Sequence, residues 1–277
     1  MRAAREAGIT FLDEARYNDE TGTAPIATGY SEIVFGELFR AAGWKRDEVV
    51  VANKLWWEFW PAQTAAEELD ASLERMGFDY LDLAYSWTTS SGPPVEEIVA
   101  AAGDLIASGK LRAWGTGNWD PGQHAEAARI AIHQGVPAPC AAQLPYSLTL
   151  REHVEDGAAT NALEASGAAV VASFVLYGGV LTGKYAGRLG SGRMAAELDD
   201  PDLTTVLRAA EALSELAARV GTSPAALAIA FALADDRVAT VLFGATQAAQ
   251  LAENVAAIPL LDQLTRGDLA DLYAIGA

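Results

Sequence analysis

The chain has 277 residues and 51% of them are hydrophobic, which is enough to bury a large core and matches the usual size of one α/β barrel domain. A formal net charge of −18 argues against binding to nucleic acid or to an anionic membrane surface, because both need a basic footprint. The single cysteine, Cys140, excludes an intramolecular disulfide framework and, with a charged first segment unlike a signal peptide, predicts a cytoplasmic protein.

Strand-like and helix-like segments alternate along the chain. Short runs rich in Val and Ile predict seven strands, at residues 9–14, 49–55, 80–87, 113–117, 141–146, 168–176 and 238–244. Segments rich in Ala and Leu predict helices at about residues 31–42, 64–76, 95–109, 124–134, 155–166, 204–220, 224–234 and 246–254. No linker or low-complexity tract interrupts this order, so we predict one domain over residues 1–277, built on a parallel sheet covered by helices.

Polar residues with complementary chemistry stand at the ends of the first two predicted strands. Asp13 ends the first strand, Tyr17 follows it, and Lys54 ends the second. A lysine beside a tyrosine lowers the pKa of the phenol, and an aspartate keeps the lysine charged and in place. These three residues predict an acid–base site; the alternative is a structural Asp13–Lys54 ion pair with Tyr17 as a loop aromatic.

The segment Val241-Leu-Phe-Gly-Ala-Thr-Gln-Ala-Ala-Gln-Leu-Ala-Glu-Asn254 predicts a strand, a glycine turn and the start of a helix with Thr246 as its N-cap. Such a turn offers free backbone N–H groups and the positive end of a helix dipole to an anion such as a phosphate. The alternative is an ordinary strand–helix unit whose Gln and Asn side chains are solvated.

These segments resemble the aldo-keto reductases, and most closely the branch that contains the voltage-gated potassium channel β subunits. Phe11-Leu-Asp-Glu-Ala-Arg-Tyr17 is similar to the family's Phe-Phe-Asp-Thr-Ala-x-x-Tyr, with Tyr17 one residue closer to Asp13. The resemblance implies that Asp13 orients Lys54 and that Tyr17 protonates a substrate carbonyl. The family's carbonyl-polarising His is replaced by Trp87, because Asp82-Leu-Ala-Tyr-Ser-Trp87 stands where the family has Asp-Leu-Tyr-x-x-His.

The resemblance also implies NADPH as the cofactor. Asn118 and Gln143 would hold the nicotinamide carboxamide, with Gly117 where the family has a Ser, and Tyr146 would stack on the ring. Residues 173–185 are similar to the family's pyrophosphate loop. The remaining cofactor-binding residues implied by the resemblance are Gly183, Lys184, Arg188, Arg193, Gly244, Thr246, Gln250, Glu253 and Asn254.

Compared with the family, Met1 falls in the helix that follows the first barrel strand. We therefore expect a TIM (β/α)8-type barrel whose first strand is missing from this sequence, with two alternatives open: the start is misplaced, or the chain closes its barrel in an unusual way. Unpaired sheet edges are rarely left open, so we expect the loop at residues 18–30 or a second subunit, as in a homo-oligomer, to cover them. A strand formed by residues 1–8 would contradict this expectation.

Aromatic residues gather in the predicted strand-end loops. Core packing is the usual role of tryptophan, but aromatics in such loops favour a pocket for an apolar or aromatic substrate. The three histidines are predicted on helices, at the surface, with no metal-ligand spacing, and we expect no metal site. The aromatics are Trp56, Trp57, Trp60, Trp87, Trp119, Tyr146 and Tyr177, and the histidines are His124, His133 and His153.

We predict an NADPH-dependent oxidoreductase that reduces a bulky apolar or aromatic carbonyl, imine or enone, with Tyr17 as proton donor. Two alternatives stay open, since Trp87 and Gly117 depart from the family pattern. One is a non-redox acid–base enzyme on the same barrel, such as a cyclase, dehydratase or isomerase. The other is a non-catalytic NADPH-sensing protein.

Overall fold

The computed structural model describes residues 1–87, 91–188, 192–201 and 203–276, except for the side chain of Arg188. Its described strands are β1 Phe11–Asp13, β2 Val50–Leu55, β3 Leu81–Trp87, β4 Leu111–Gly117, β5 Ala141–Pro145, β6 Ala169–Ser173 and β7 Val238–Val241. Its described α-helices are α1 Arg2–Glu6, α2 Tyr30–Ala42, α3 Ala65–Met76, α4 Val95–Ala107, α5 Pro121–Gln134, α6 Glu152–Glu155, α7 Gly157–Ser166, α8 Leu203–Val220, α9 Pro224–Leu233, α10 Ala248–Val255, α11 Ala257–Leu261 and α12 Arg266–Ile275.

Local sequence signals account for several helix starts. Thr64 caps α3, where its hydroxyl accepts from the N–H of Glu67 and the Glu67 carboxylate accepts in return from the N–H of Thr64. Asp120 caps α5 just before Pro121, a residue whose fixed φ suits the first helical turn. These caps set where the helix begins after its strand, and so they limit the length of the strand-end loops.

The described residues form two compact units. The first comprises Met1–Gln143 and Gly157–Ala169, and the second comprises Leu144–Asp156 and the chain from Val170 onwards. In the first unit, β1 to β5 pair in sequence order and every pair is parallel. The register places Lys54 beside Tyr85, Tyr85 beside Gly115, and Trp87 beside Gly117.

The second unit is built around β6, β7 and helix α9. The two strands pair in parallel, with Val170 beside Val238. Helix α9 is apolar on all sides, and its residues from Ala225 to Ala232 are buried. A helix of this composition is the core of its unit rather than a surface helix.

Parallel strands in sequence order, alternating with helices, are the arrangement of the α/β TIM-barrel class. The predicted fold class is confirmed, with seven strands in the part of the chain that the structure describes. Residues 2–6 form helix α1, so none of these strands comes from residues 1–8. The predicted helix at 155–166 is two helices, α6 and α7, and the one at 246–254 begins later, at Ala248.

Within the described ranges, no single helix is long and apolar enough to cross a membrane. One pair, Leu203–Val220 and Pro224–Leu233, passes the test of length and composition when taken together, but it is bent by 95°.

Candidate active site

Asp13 and Lys54 form a buried ion pair at the ends of neighbouring strands. The Lys54 ammonium donates to the Asp13 carboxylate and, at 2.9 Å, to the backbone carbonyl oxygen of Glu14. Desolvation raises the pKa of Asp13, and the charge and hydrogen bond of Lys54 oppose that rise. The predicted Asp13–Lys54 pair is confirmed; its catalytic role stays a prediction.

Gln143 joins this pair from β5. Its side-chain amide donates to the other carboxylate oxygen of Asp13 at 3.3 Å, and the residue is buried. The two oxygens of Asp13 therefore have different donors, one cationic and one neutral. This arrangement holds Asp13 in one orientation and brings together three of the predicted site residues.

Tyr85 is a neighbour of Lys54 that the sequence interpretation missed. It lies beside Lys54 in the β2–β3 register, and the ammonium is 5.8 Å from the centre of its ring. Tyr85 is fully buried, and its hydroxyl has no hydrogen-bond partner among the described residues. Burial raises the pKa of this hydroxyl far above its ordinary value, and the negative charge of Asp13 raises it further. The period-two alternation of β3 from Trp87 is the signal that could have found it.

Tyr17 and Arg16 take opposite environments in the loop after β1. The Tyr17 side chain is 62% exposed, whereas Arg16 is buried. Arg16 pairs with Glu58 at 2.6 Å and lies 3.8 Å from the carboxylate of Glu68. The loop positions Tyr17 through its backbone carbonyl, which accepts from the N–H of Gly29. The proton-donor role of Tyr17 stays a prediction.

Glu14 occupies the position where the family motif has Thr. Burial raises the pKa of its carboxyl to about 7, and the nearby charge of Glu32 adds to that rise. Hydrogen bonds from the backbone of Ala15 and the side chain of Ser31 oppose it, as does the charge of Lys54. A carboxyl group next to the ion pair is therefore partly protonated near neutral pH.

Trp87, at the end of β3, packs directly against Gly117 of β4. A Cβ atom at Gly117 would lie 2.3 Å from Cε3 of the Trp87 ring and 2.6 Å from Cζ3. The ring of Trp56 lies against Trp87, with 5.3 Å between ring centres and 40° between planes. The two departures from the family pattern, Trp87 and Gly117, therefore belong to one packing arrangement.

The loop after β2 is held by a buried carboxylate. Glu68 of α3 accepts from the backbone N–H groups of Trp56 at 2.9 Å and Trp57 at 3.2 Å. The Trp57 indole donates to the Ser86 hydroxyl at 2.8 Å, which ties this loop to β3. Trp56 is therefore fixed in place beside Trp87 rather than free to rearrange.

Two segments of the second unit carry the residues that the resemblance assigns to the phosphates. Gly179 and Gly183 adopt positive φ, and a Cβ atom at Gly179 would lie 2.6 Å from the ammonium of Lys184. Lys184 and Arg193 are exposed, and the side chain of Arg188 lies outside the described residues.

At the start of α10 the side chain of Gln250 already accepts three hydrogen bonds. Its oxygen accepts from the backbone N–H groups of Thr246 and Gln247 and from the hydroxyl of Thr246. Gly244 and Glu253 are exposed, and Asn254 is buried. The N-cap is Gln247 rather than the predicted Thr246, because α10 begins at Ala248.

Comparison with known proteins assigns the family. The model of the Aldo/keto reductase family matches residues 1–276. The chain belongs to the aldo/keto reductase family. Relatives provisionally named as voltage-gated potassium channel β subunits are 33% identical in Oryza sativa subsp. japonica and 31% identical in Schizosaccharomyces pombe. Both matches cover 96% of this chain, and they cover 82% and 79% of the two relatives.

Membership of the aldo/keto reductase family supports NADP-dependent oxidoreductase chemistry in general, since the family generally binds NADPH. In the first unit, the Asn118 side chain is exposed, and the N–H of this residue donates to the carbonyl oxygen of Gln143 at 2.9 Å. In the second unit, Gly179 and Gly183 have positive φ, and the Lys184 ammonium lies close to Gly179, so a cation stands beside a glycine turn of the kind that a phosphate can approach. Taken unit by unit, these residues suit parts of NADPH, with one departure in the first unit, where the ring of Trp87 covers Gly117.

In this aldo/keto reductase, Tyr146 is a core residue of the second unit. Its ring is fully buried, packs against Phe231, and its hydroxyl donates to Glu155 at 2.8 Å. No exposed ring face is left for the predicted stacking on nicotinamide, so this placement does not favour that role. Trp57 and Trp119 are also buried, whereas Trp56, Trp60, Trp87 and Tyr177 keep part of their surface exposed.

The expectation that all three histidines lie at the surface is wrong for His124. This residue is buried, and its two ring nitrogens contact the hydroxyls of Thr116 and Ser166, both at 2.8 Å. His133 and His153 are exposed. No group of His, Cys, Asp and Glu that could hold a metal occurs in the residues whose placement is described.

Proposed function

We propose that the protein is an NADPH-dependent oxidoreductase that reduces a bulky apolar or aromatic carbonyl, imine or enone. The observation that carries this proposal is the buried Asp13–Lys54 pair, with Gln143 on the second carboxylate oxygen, in a chain of this family. A cation held in a water-poor site stabilises negative charge that develops on a nearby oxygen.

In the proposed reaction Tyr17 donates the proton to the substrate oxygen. A proton donor must reach the substrate, and Tyr17 is exposed to solvent while Tyr85 is not. Lys54 supports the donor electrostatically, and Asp13 keeps Lys54 in place. Trp87 lines the substrate side. An indole has one fixed N–H and no titratable group, so Trp87 supplies an aromatic surface rather than a group that exchanges protons.

NADPH, when bound, supplies the hydride. We assign the nicotinamide carboxamide to Asn118 and Gln143 of the first unit. The phosphates are assigned to Lys184 and the glycine turn of the second unit, with Arg188 and Arg193 as further cations. Thr246 and Gln250 are assigned to the 2′-phosphate end, where a phosphate would replace the Gln250 oxygen as the acceptor of the same N–H groups.

The test is a titration of the purified chain with NADPH, followed by intrinsic tryptophan fluorescence. We expect saturable quenching below millimolar cofactor, and consumption of NADPH when an aromatic aldehyde or an enone is added. A Lys184→Ala variant should bind NADPH more weakly, and the matched control Lys45→Ala, at an exposed lysine of the first unit, should not. Absence of saturable quenching in the native chain rejects the proposal.

A second candidate, a non-redox acid–base enzyme, is favoured by Glu14. A carboxyl group with a pKa of about 7 beside Lys54 is a proton donor and acceptor at neutral pH. In that case isomerisation or dehydration of a conjugated substrate would proceed without NADPH consumption. The cytoplasmic location and the homo-oligomer stay predictions from the sequence.

A further inference from the structure

The packing of Trp87 depends on the absence of a side chain at Gly117. The two residues are paired neighbours in the β3–β4 register. Real Cβ atoms essentially never approach another heavy atom to 2.3 Å, the distance that a Cβ at Gly117 would have from the Trp87 ring. Any larger residue at position 117 must therefore move the indole or the strand.

A side chain at position 117 would displace the Trp87 ring more readily than it would displace strand β4. Residues of β4 around this point are buried, and Gly117 pairs on its other side with Gln143 of β5. A side chain at position 117 would therefore act on Trp87. The indole cannot shift towards Trp56 without disturbing a residue whose backbone N–H is held by Glu68.

We infer that Gly117 is a specificity-determining residue. Because Gly117 has no side chain, the ring of Trp87 packs directly against it. The ring of Trp56 lies against the indole. Trp87 keeps part of its surface exposed, and in this inference the exposed indole forms one wall of the substrate site. It favours planar, conjugated substrates over small aliphatic ones, since such substrates stack on an indole face. This inference rests on the proposed function for its substrate class.

The test is a double-variant cycle with two aldehydes. We expect Gly117→Ala to lower the ratio of kcat/KM for cinnamaldehyde to that for propanal about tenfold, which is within the range of hydrophobic pocket discrimination. Trp87→Ala should lower the ratio similarly. In the Trp87→Ala background the additional Gly117→Ala change should have no effect, because the ring that it would displace is gone. Gly157→Ala is the matched control, because a Cβ there meets no atom within 4 Å.

A second measurement does not depend on turnover. Calorimetric binding of cinnamyl alcohol, without cofactor, should weaken about tenfold in Gly117→Ala and in Trp87→Ala, and no further in the double variant. If Gly117→Ala does not fold, adding Trp87→Ala should restore the fold, and failure to restore it overturns the inference. Additive effects in either cycle overturn it too.

The outcomes separate the two claims. A native chain that binds no NADPH and consumes none contradicts the proposed function, and the alcohol titration still decides the role of Gly117. A native chain that reduces both aldehydes, with a ratio unchanged by Gly117→Ala, contradicts only the inference.

Discussion

Lys54 donates a hydrogen bond to the backbone carbonyl oxygen of Glu14 at 2.9 Å, in addition to its ion pair with Asp13. The lysine therefore links β2 to both a charged and a neutral acceptor at the end of β1. This geometry restricts the ammonium to one position, and the chemistry proposed for the site depends on that position.

We expect Lys54→Met to abolish turnover, because it removes the only charge that balances Asp13 in the proposed mechanism. The variant leaves a buried carboxylate without its ion-pair partner, which costs roughly 3–5 kcal/mol of unfolding free energy unless Asp13 takes up a proton. Turnover and urea unfolding should be measured together. Lys45→Met, at an exposed lysine, is the control and should change neither. Undiminished turnover in Lys54→Met would show that the site is assigned wrongly.

Tyr17 and Tyr85 can be distinguished by removing one hydroxyl at a time. Tyr17→Phe should lower kcat by about 10²–10⁴-fold if this residue is the general acid. Tyr85→Phe should leave kcat unchanged and stabilise the fold by about 1 kcal/mol, because it removes a buried hydroxyl that has no partner among the described residues. The reverse pattern of kcat values would assign the proton donor to Tyr85.

Glu14 should make the protein less stable as the pH rises. Its pKa is raised from 4.5 to about 7 in the folded state, so between those values the folded chain binds a proton that the unfolded chain has lost. The unfolding free energy should fall across this window and stay lower above pH 7. Glu14→Gln should remove this dependence and add on the order of 2 kcal/mol at pH 8, after allowance for partial exposure. Parallel pH profiles for the two proteins would contradict the assignment.

His124 should have the opposite pH dependence. Burial lowers its pKa, so the folded state favours the neutral ring. As the pH falls through about 6.5, the unfolded chain gains a proton that the folded chain resists, and stability declines. His124→Gln should be less stable than the native chain at pH 7 by about 1–2 kcal/mol, because the hydrogen bonds to Thr116 and Ser166 are altered. It should also lose less stability between pH 7 and 5, as urea unfolding at several pH values can measure.

The chain's local patterns were sufficient to predict the strand–helix alternation and the Asp13–Lys54 pair. Strands of branched residues and capped helices are encoded over a few residues, and the ends of adjacent parallel strands lie at one edge of the sheet. Asp13 and Lys54 stand at two such ends, and the strand order therefore predicts that they lie near each other.

Which side chain faces inward was decided only by the tertiary structure. The shortened spacing after Asp13 leaves Arg16 buried and Tyr17 exposed, and this cannot be derived from a motif alone. The burial of His124 depends on packing against two other elements, because its ring nitrogens contact Thr116 of β4, which is near in sequence, and Ser166 of α7, which is 42 residues away. The contact of Trp87 with Gly117, and of Lys54 with Tyr85, depends on strand register, and register is fixed by pairing between segments far apart in the chain rather than by the residues within one strand.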